Sequence, residues 1–147
     1  MEDLVSNKIL YKIMWANQEE TIWDMRNEKP ISLNDIAYKY LEDFIDYKLW
    51  AQEFHDEYMR LLSGESDDLH NIKFKLNSQI IDILPKINKT LNKINIYLFY
   101  WFDIDKSVNE SFSWKYCPVT NDLLTDLNIK SNNSLICSNC FLVFPKY

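Results

Sequence analysis

Glycine is almost missing from this chain: Gly64 is the one copy in 147 residues. Loops that cradle phosphate and fingerprints that bind dinucleotides need several glycines, because the backbone must come close to the ligand. Their absence argues against a nucleotide or phosphate enzyme. Histidine is nearly as scarce, His55 and His70 only, and no serine stands in a nucleophile-elbow context, so a catalytic triad has little to draw on. Arginine occurs twice, at Arg26 and Arg60, and the net charge is −6. A nucleic-acid-binding protein needs a basic face, so no direct nucleic-acid contact is expected. Residues Met1 to Val5 lack the basic-then-apolar pattern of a signal peptide. The longest apolar cluster, Ile96 to Phe102, falls far short of the ~20 residues that span a bilayer. We therefore expect an intracellular protein, cytoplasmic or nuclear, without membrane contact. Three cysteines is an odd number, which does not suit a closed disulfide framework.

What the chain does have is apolar and aromatic mass, 47% and 15% of residues, too much for a disordered protein and enough for one core. Lysine, asparagine and isoleucine are abundant. Their codons are AT-rich, which points to an AT-rich genome, viral or microbial. Asn88-Lys-Thr90, Asn109-Glu-Ser111 and Asn132-Asn-Ser134 match glycosylation sequons. In an asparagine-rich chain without a signal peptide they read as chance matches.

The apolar spacing reads as helical over most of the length. Residues 3 to 16 give a first helix, through Ile9, Leu10, Ile13 and Met14, and Trp15, Ile22 and Trp23 continue an apolar patch. Asn27 to Pro30 is a turn. Ser32 to Ser63 reads as a long central helix. It opens on a capping box at Ser32 and Asp35 and stops at Gly64. Ile36, Tyr40, Phe44, Tyr47, Ala51, Tyr58 and Leu62 form one face, and Leu41, Ile45 and Leu49 a second stripe. Leu69 to Leu84 fits a helix better than a strand, and Ile87, Leu91, Ile94, Leu98 and Trp101 fit another. Asp103 to Ser111 reads as a loop. These spacings predict a mainly α fold: a bundle of about four helices over residues 1–105, with a small Cys-containing β or irregular C-terminal lobe over 106–147.

That lobe carries the one constellation with chemistry in it. Phe112, Trp114 and Tyr116 alternate with polar residues as in a strand. The strand runs into Cys117-Pro118-Val119-Thr120. A polar turn, Lys130 to Ser134, reverses the chain, and Leu135-Ile136 leads back into Cys137-Ser138-Asn139-Cys140. Two residues between cysteines let both thiolates face one metal. The segment Cys117 to Cys140 resembles a zinc ribbon, in which two CxxC knuckles on two hairpins share one zinc. It departs from that pattern at Thr120, which stands where the second cysteine of the first knuckle belongs. The opening Cys117-Pro118-Val119-Thr120 also resembles that of a RING or U-box module, but the spacing to Cys137 is too short for a second metal. Three readings stay open. Zinc is bound by Cys117, Cys137, Cys140 and a fourth group, with Asp122, His70, His55 or a partner residue as candidates. Or the ribbon has lost its metal and is held by packing. Or the cysteines are unrelated buried residues or a redox pair, although Leu142-Val-Phe-Pro145 does not look like the helix start that activates a redox thiol.

Other clusters read as ordinary surface or core. Glu53, His55, Asp56 and Glu57 lack the paired Glu-x-x-His motifs of a di-metal bundle and read as a solvated helix face. Tyr97 to Phe102 reads as core rather than as a stacking platform for bases. The function expected is a non-enzymatic protein-binding adaptor or accessory subunit, in the setting of a viral transcription or replication assembly to which the ribbon resemblance points. The rival is a virus-encoded helical protein that binds and inhibits a host factor.

Overall fold

The computed structural model describes residues 8–14, 20–100, 115–129 and 132–145. Its backbone is an α/β fold and not a four-helix bundle. The elements run β1 (Ile9–Ile13), β2 (Ile22–Asp24), β3 (Lys29–Pro30), α1 (Ile36–Glu42), α2 (Tyr47–Ser63), a 3-10 turn (Asp68–His70), α3 (Lys75–Thr90), β4 (Ile94–Phe99), β5 (Thr125–Ile129), β6 (Asn132–Cys137) and β7 (Leu142–Pro145). The strands make one mixed sheet in the order β3-β2-β1-β4-β7-β6-β5. The three middle strands β1, β4 and β7 are parallel, and each flank is an antiparallel meander. The regions 1–105 and 106–147 thus meet in one sheet through the β4–β7 pair.

Two expected helices are strands. Ile9–Ile13 pairs with Ile94–Phe99 in parallel register, Ile9 opposite Ile94 and Ile13 opposite Leu98. A parallel strand covered on both faces is apolar at consecutive positions, so it carries no clean period of two. Ile-Asn-Ile-Tyr-Leu-Phe is such a run, with Asn95 through Leu98 all buried. Its β-branched and aromatic residues suit a pleated surface better than a helix. Alternate side chains go to opposite faces. Tyr11, Ile13, Ile96, Leu98, Leu142 and Phe144 join the large core beneath the helices. Leu10, Tyr97, Ile136 and Val143 join a smaller core on the other side.

The expected central helix is two helices. Asp43 caps the end of α1, and Asp46 caps the start of α2 by accepting the Leu49 N–H at 3.2 Å. Aspartate favours caps over helix interiors because its carboxylate competes for backbone N–H groups. Phe44 lies in the break and is 41% exposed, so it is not a core residue. Ile36, Leu49 and Leu62 are exposed too. The aromatic ladder that α2 does bury runs Tyr47–Trp50–Phe54, with ring centroids 5.3 and 5.0 Å apart. The stop at Gly64 is as expected: φ is +81°, and the Gly64 and Glu65 amides return to Leu61 and Arg60 carbonyls at 3.2 and 2.9 Å. The start is at Asp35, whose carboxylate accepts the Ala37 N–H at 3.0 Å.

The third helix is shifted from 69–84 to Lys75–Thr90 and runs through Pro85. Proline removes one ladder bond there. Burial of Leu84, Ile87 and Asn88 on the next turn holds the helix together past it. Trp15, Trp101, the 103–111 loop, Phe112 and Trp114 lie outside the described residues. Among the described residues, no helix is long and apolar enough to cross a membrane.

Candidate metal centre

The sheet ends in two short hairpins that meet. The first is closed by an antiparallel bridge between Tyr116 and Leu123, with Leu124 N–H donating to the Lys115 carbonyl at 2.9 Å and Cys117 N–H to the Asp122 carbonyl at 2.8 Å. The second joins β6 to β7, where Cys137 pairs with Leu142. β5 pairs with β6 from Thr125↔Ile136 to Ile129↔Asn132, which brings the chain from the first hairpin back to the second. The polar stretch Lys130–Ser134 is therefore not all turn, because β6 already begins at Asn132.

The two turns share a closing hydrogen bond and a left-handed residue. In the first, the Asn121 N–H reaches back to the Cys117 carbonyl at 2.8 Å; in the second, the Phe141 N–H reaches the Cys137 carbonyl at 2.9 Å. The fifth residue of each is left-handed, φ 63° at Asn121 and 62° at Phe141. Cys117 matches Cys137 in this correspondence, and Thr120 matches Cys140.

Cys117, Cys137 and Cys140 are all buried, and their sulfurs lie within 4.8 Å of one another. Three buried cysteines this close can hold a metal ion. Cys117 Sγ and Cys140 Sγ are 3.3 Å apart, and Thr120 Oγ1 is 3.5 Å from Cys137 Sγ. The three cysteines belong to the large apolar core, which also holds Leu124, Leu135 and Leu142 and has Phe141 packed against it. The Val119 N–H donates to Cys117 Sγ at 3.4 Å, and the Asp122 N–H donates to Thr120 Oγ1 at 3.2 Å. The hydrogen bond from Cys140 pulls the Cys117 thiol down to about 5 against the effect of burial, with further help from the Thr120 and Val119 amides. Cys140 is pushed up, first by donating that hydrogen bond and then by burial. The two thiols share one hydrogen bond, so their protons belong to the pair rather than to either residue alone.

The other expected ligands are elsewhere. Asp122 does not join the sulfur cluster; its Oδ2 accepts from Asn139 Nδ2 at 2.7 Å, bracing the first turn against the second. His70 lies in the 3-10 turn, where its carbonyl accepts from the Tyr100 hydroxyl. His55 lines a cleft between α1 and α2. What the residue spacing did not reveal was the matched left-handed position. Asparagine at position 121 is its one sequence trace, since Asn tolerates that conformation better than most residues.

No protein-family model, curated protein or solved structure matches this chain.

Proposed function

We propose that this chain is a non-enzymatic protein-binding accessory subunit whose paired knuckles are held by a structural zinc ion. The observation that carries the metal half is the convergence of Cys117, Cys137 and Cys140 at one buried cluster from two turns with the same closing bond and the same left-handed residue. Three thiolates favour zinc over the hard cations that prefer oxygen. A metal here ties the 115–124 hairpin to the β6–β7 turn, so its work is to fix the sheet's end rather than to carry chemistry.

The binding half rests on the surface. The cleft between α1 and α2, about 910 Å³, is flanked by the exposed side chains of Leu33 and Ile36. A net charge of −6 suits a protein partner better than a nucleic acid.

Elemental analysis of protein purified under reducing conditions with zinc supplied tests the metal half. One zinc per chain is expected, lost in Cys137→Ser. A metal-free wild type would overturn it. Quantitative co-purification from the native host tests the other half: a stoichiometric partner is expected with wild type and lost with Leu33→Glu/Ile36→Glu at unchanged melting temperature. Equal recovery with both proteins would remove the cleft from the interface.

A further inference from the structure

We propose that the Thr120 hydroxyl is the fourth ligand of this centre, giving a shell of three thiolates and one neutral oxygen that holds zinc less tightly than four thiolates would. The inference rests on the metal reading above and makes it specific.

Four observations carry it. Thr120 holds the place in the first turn that Cys140 holds in the second, fixed by matching amide-to-carbonyl closures of 2.8 and 2.9 Å and by φ angles of 63° and 62° one residue later. Its oxygen is 3.5 Å from Cys137 Sγ. A tetrahedral edge between a sulfur at about 2.3 Å and an oxygen at about 2.0–2.2 Å from a common ion comes to roughly 3.6 Å. The hydroxyl also receives the amide two residues on, from Asp122, just as Cys117 Sγ receives the amide of Val119. Such amide bonds orient metal ligands from outside the coordination shell. Finally, among the described residues no histidine or carboxylate joins the three sulfurs.

The neutral oxygen weakens the shell. A zinc ion with four thiolates carries a net charge of −2, and replacing one thiolate by a neutral hydroxyl leaves −1. The oxygen is a weaker donor to a borderline-soft ion than sulfur is. Thr120 is an exposed residue whereas the three cysteines are buried, so the weakest donor of the shell stands on its outer side. The threonine thus leaves a structural site that holds its zinc less tightly than two complete CxxC knuckles would.

Cobalt substitution tests this in the full chain, with Thr120→Cys, Thr120→Ser and Thr120→Ala beside wild type. Wild type is expected to bind one cobalt with a three-thiolate spectrum. In Thr120→Cys the sulfur-to-cobalt charge-transfer band should rise by roughly one third and zinc should resist a competing chelator at least tenfold better, as a fourth thiolate completes the tetrahedron. Thr120→Ala should lose zinc affinity by roughly 10- to 100-fold, the range seen when even an outer-shell partner is removed, and Thr120→Ser should restore it. A charge-transfer band unchanged in Thr120→Cys, or an alanine variant that holds zinc as wild type does, would overturn the assignment of Thr120 while leaving the three-cysteine site intact. A wild type that binds neither cobalt nor zinc would instead overturn the metal reading itself.

Discussion

Asn121 and Phe141 hold the same left-handed backbone, one residue past the end of each knuckle, with φ of 63° and 62°. That conformation points each amide back at the carbonyl four residues earlier and closes the turn. For residues other than glycine it costs about 1–2 kcal/mol. Phe141 is a bulky residue in that position. Its ring packs on Tyr97 at 5.7 Å, and this contact offsets part of the cost. Each turn thus holds one non-glycine residue in that region while Cys117, Thr120, Cys137 and Cys140 come together.

Asn121→Gly should therefore be neutral or stabilising by under about 1 kcal/mol, because glycine takes positive φ without steric cost. Asn121→Val should lose roughly 1–3 kcal/mol, since a β-branched residue resists that region. Urea melts of both variants check this. A valine variant as stable as wild type would mean that the first turn does not hold the left-handed residue seen here.

The sheet has a gap where β7 stops short of its neighbour. β7 covers β4 only from Leu98 onward, so the Ile96 N–H and carbonyl face an uncovered edge. The carboxamide of Asn88, from the end of α3, fills the gap. Its Oδ1 accepts from Ile96 N–H at 2.8 Å, and its Nδ2 donates to the Ile96 carbonyl at 2.9 Å and to Leu84 at 2.9 Å. The same Nδ2 is the atom a glycan would need at this sequon. Asn88→Leu keeps the volume but strands two buried backbone groups, at about 1–3 kcal/mol each. A loss of about 2–5 kcal/mol is expected in chemical melts, with faster amide exchange at Ile96. Exchange at Ile96 as slow as in wild type would show that another group takes over the edge.

Packing on the helical face reverses the reading of two aromatic residues: spacing puts Phe44 on the expected buried face and leaves Trp50 off it. Trp50 is buried between Tyr47 and Phe54 and donates its indole N–H to the Leu76 carbonyl at 2.9 Å, which joins α2 to α3. Phe44, six residues earlier, is 41% exposed. Trp50→Ala should cost about 3–5 kcal/mol and Phe44→Ala under about 1 kcal/mol. Comparable losses at the two sites in urea melts would mean that the chain is continuous through Asp43–Asp46 as one helix.

The contrast shows what the residues alone make legible. The end of α2 at Gly64 and the amphipathic stripe of α3 depend on neighbours in sequence, so their signals are local and can be read. The cysteine cluster is legible in part for the same reason: the CxxC of Cys137 and Cys140 is local, whereas the strand expected over Phe112 to Tyr116 lies almost wholly outside the described residues. β1 and β4 are not, because a parallel pair draws its partners from far along the chain and is buried on both faces. Ile9 pairs with Ile94, and neither position carries a mark of the other. Continuous burial erases the period of two, leaving an apolar run that fits a helix equally well. Thr120 was legible only as a departure from a metal-binding pattern. Its placement opposite Cys137 depends on a turn geometry that no spacing records.

The last prediction concerns charge in the core. Lys12 is 6% exposed on β1, with its ammonium 4.2 Å from the centre of the Phe99 ring. Burial disfavours the charged form and brings its pKa down to about 8. The ordinary value is about 10.4. Between those two values the unfolded chain binds more protons than the folded one, so this group makes stability rise with pH across the window. Below pH 8 both states are charged and the full burial penalty stands; above about 10.4 both are neutral and it is gone. Lys12→Met keeps the length and removes the charge. The variant should be more stable than wild type at pH 7, on the order of 1–3 kcal/mol after the lost ring contact is set against the relief. That advantage should shrink steadily from pH 8 to about 10.4 as wild type sheds its proton. Paired urea melts at half-unit pH steps measure it. Two stability curves that stay parallel through the window would show that the Lys12 ammonium keeps its hydration in the folded chain.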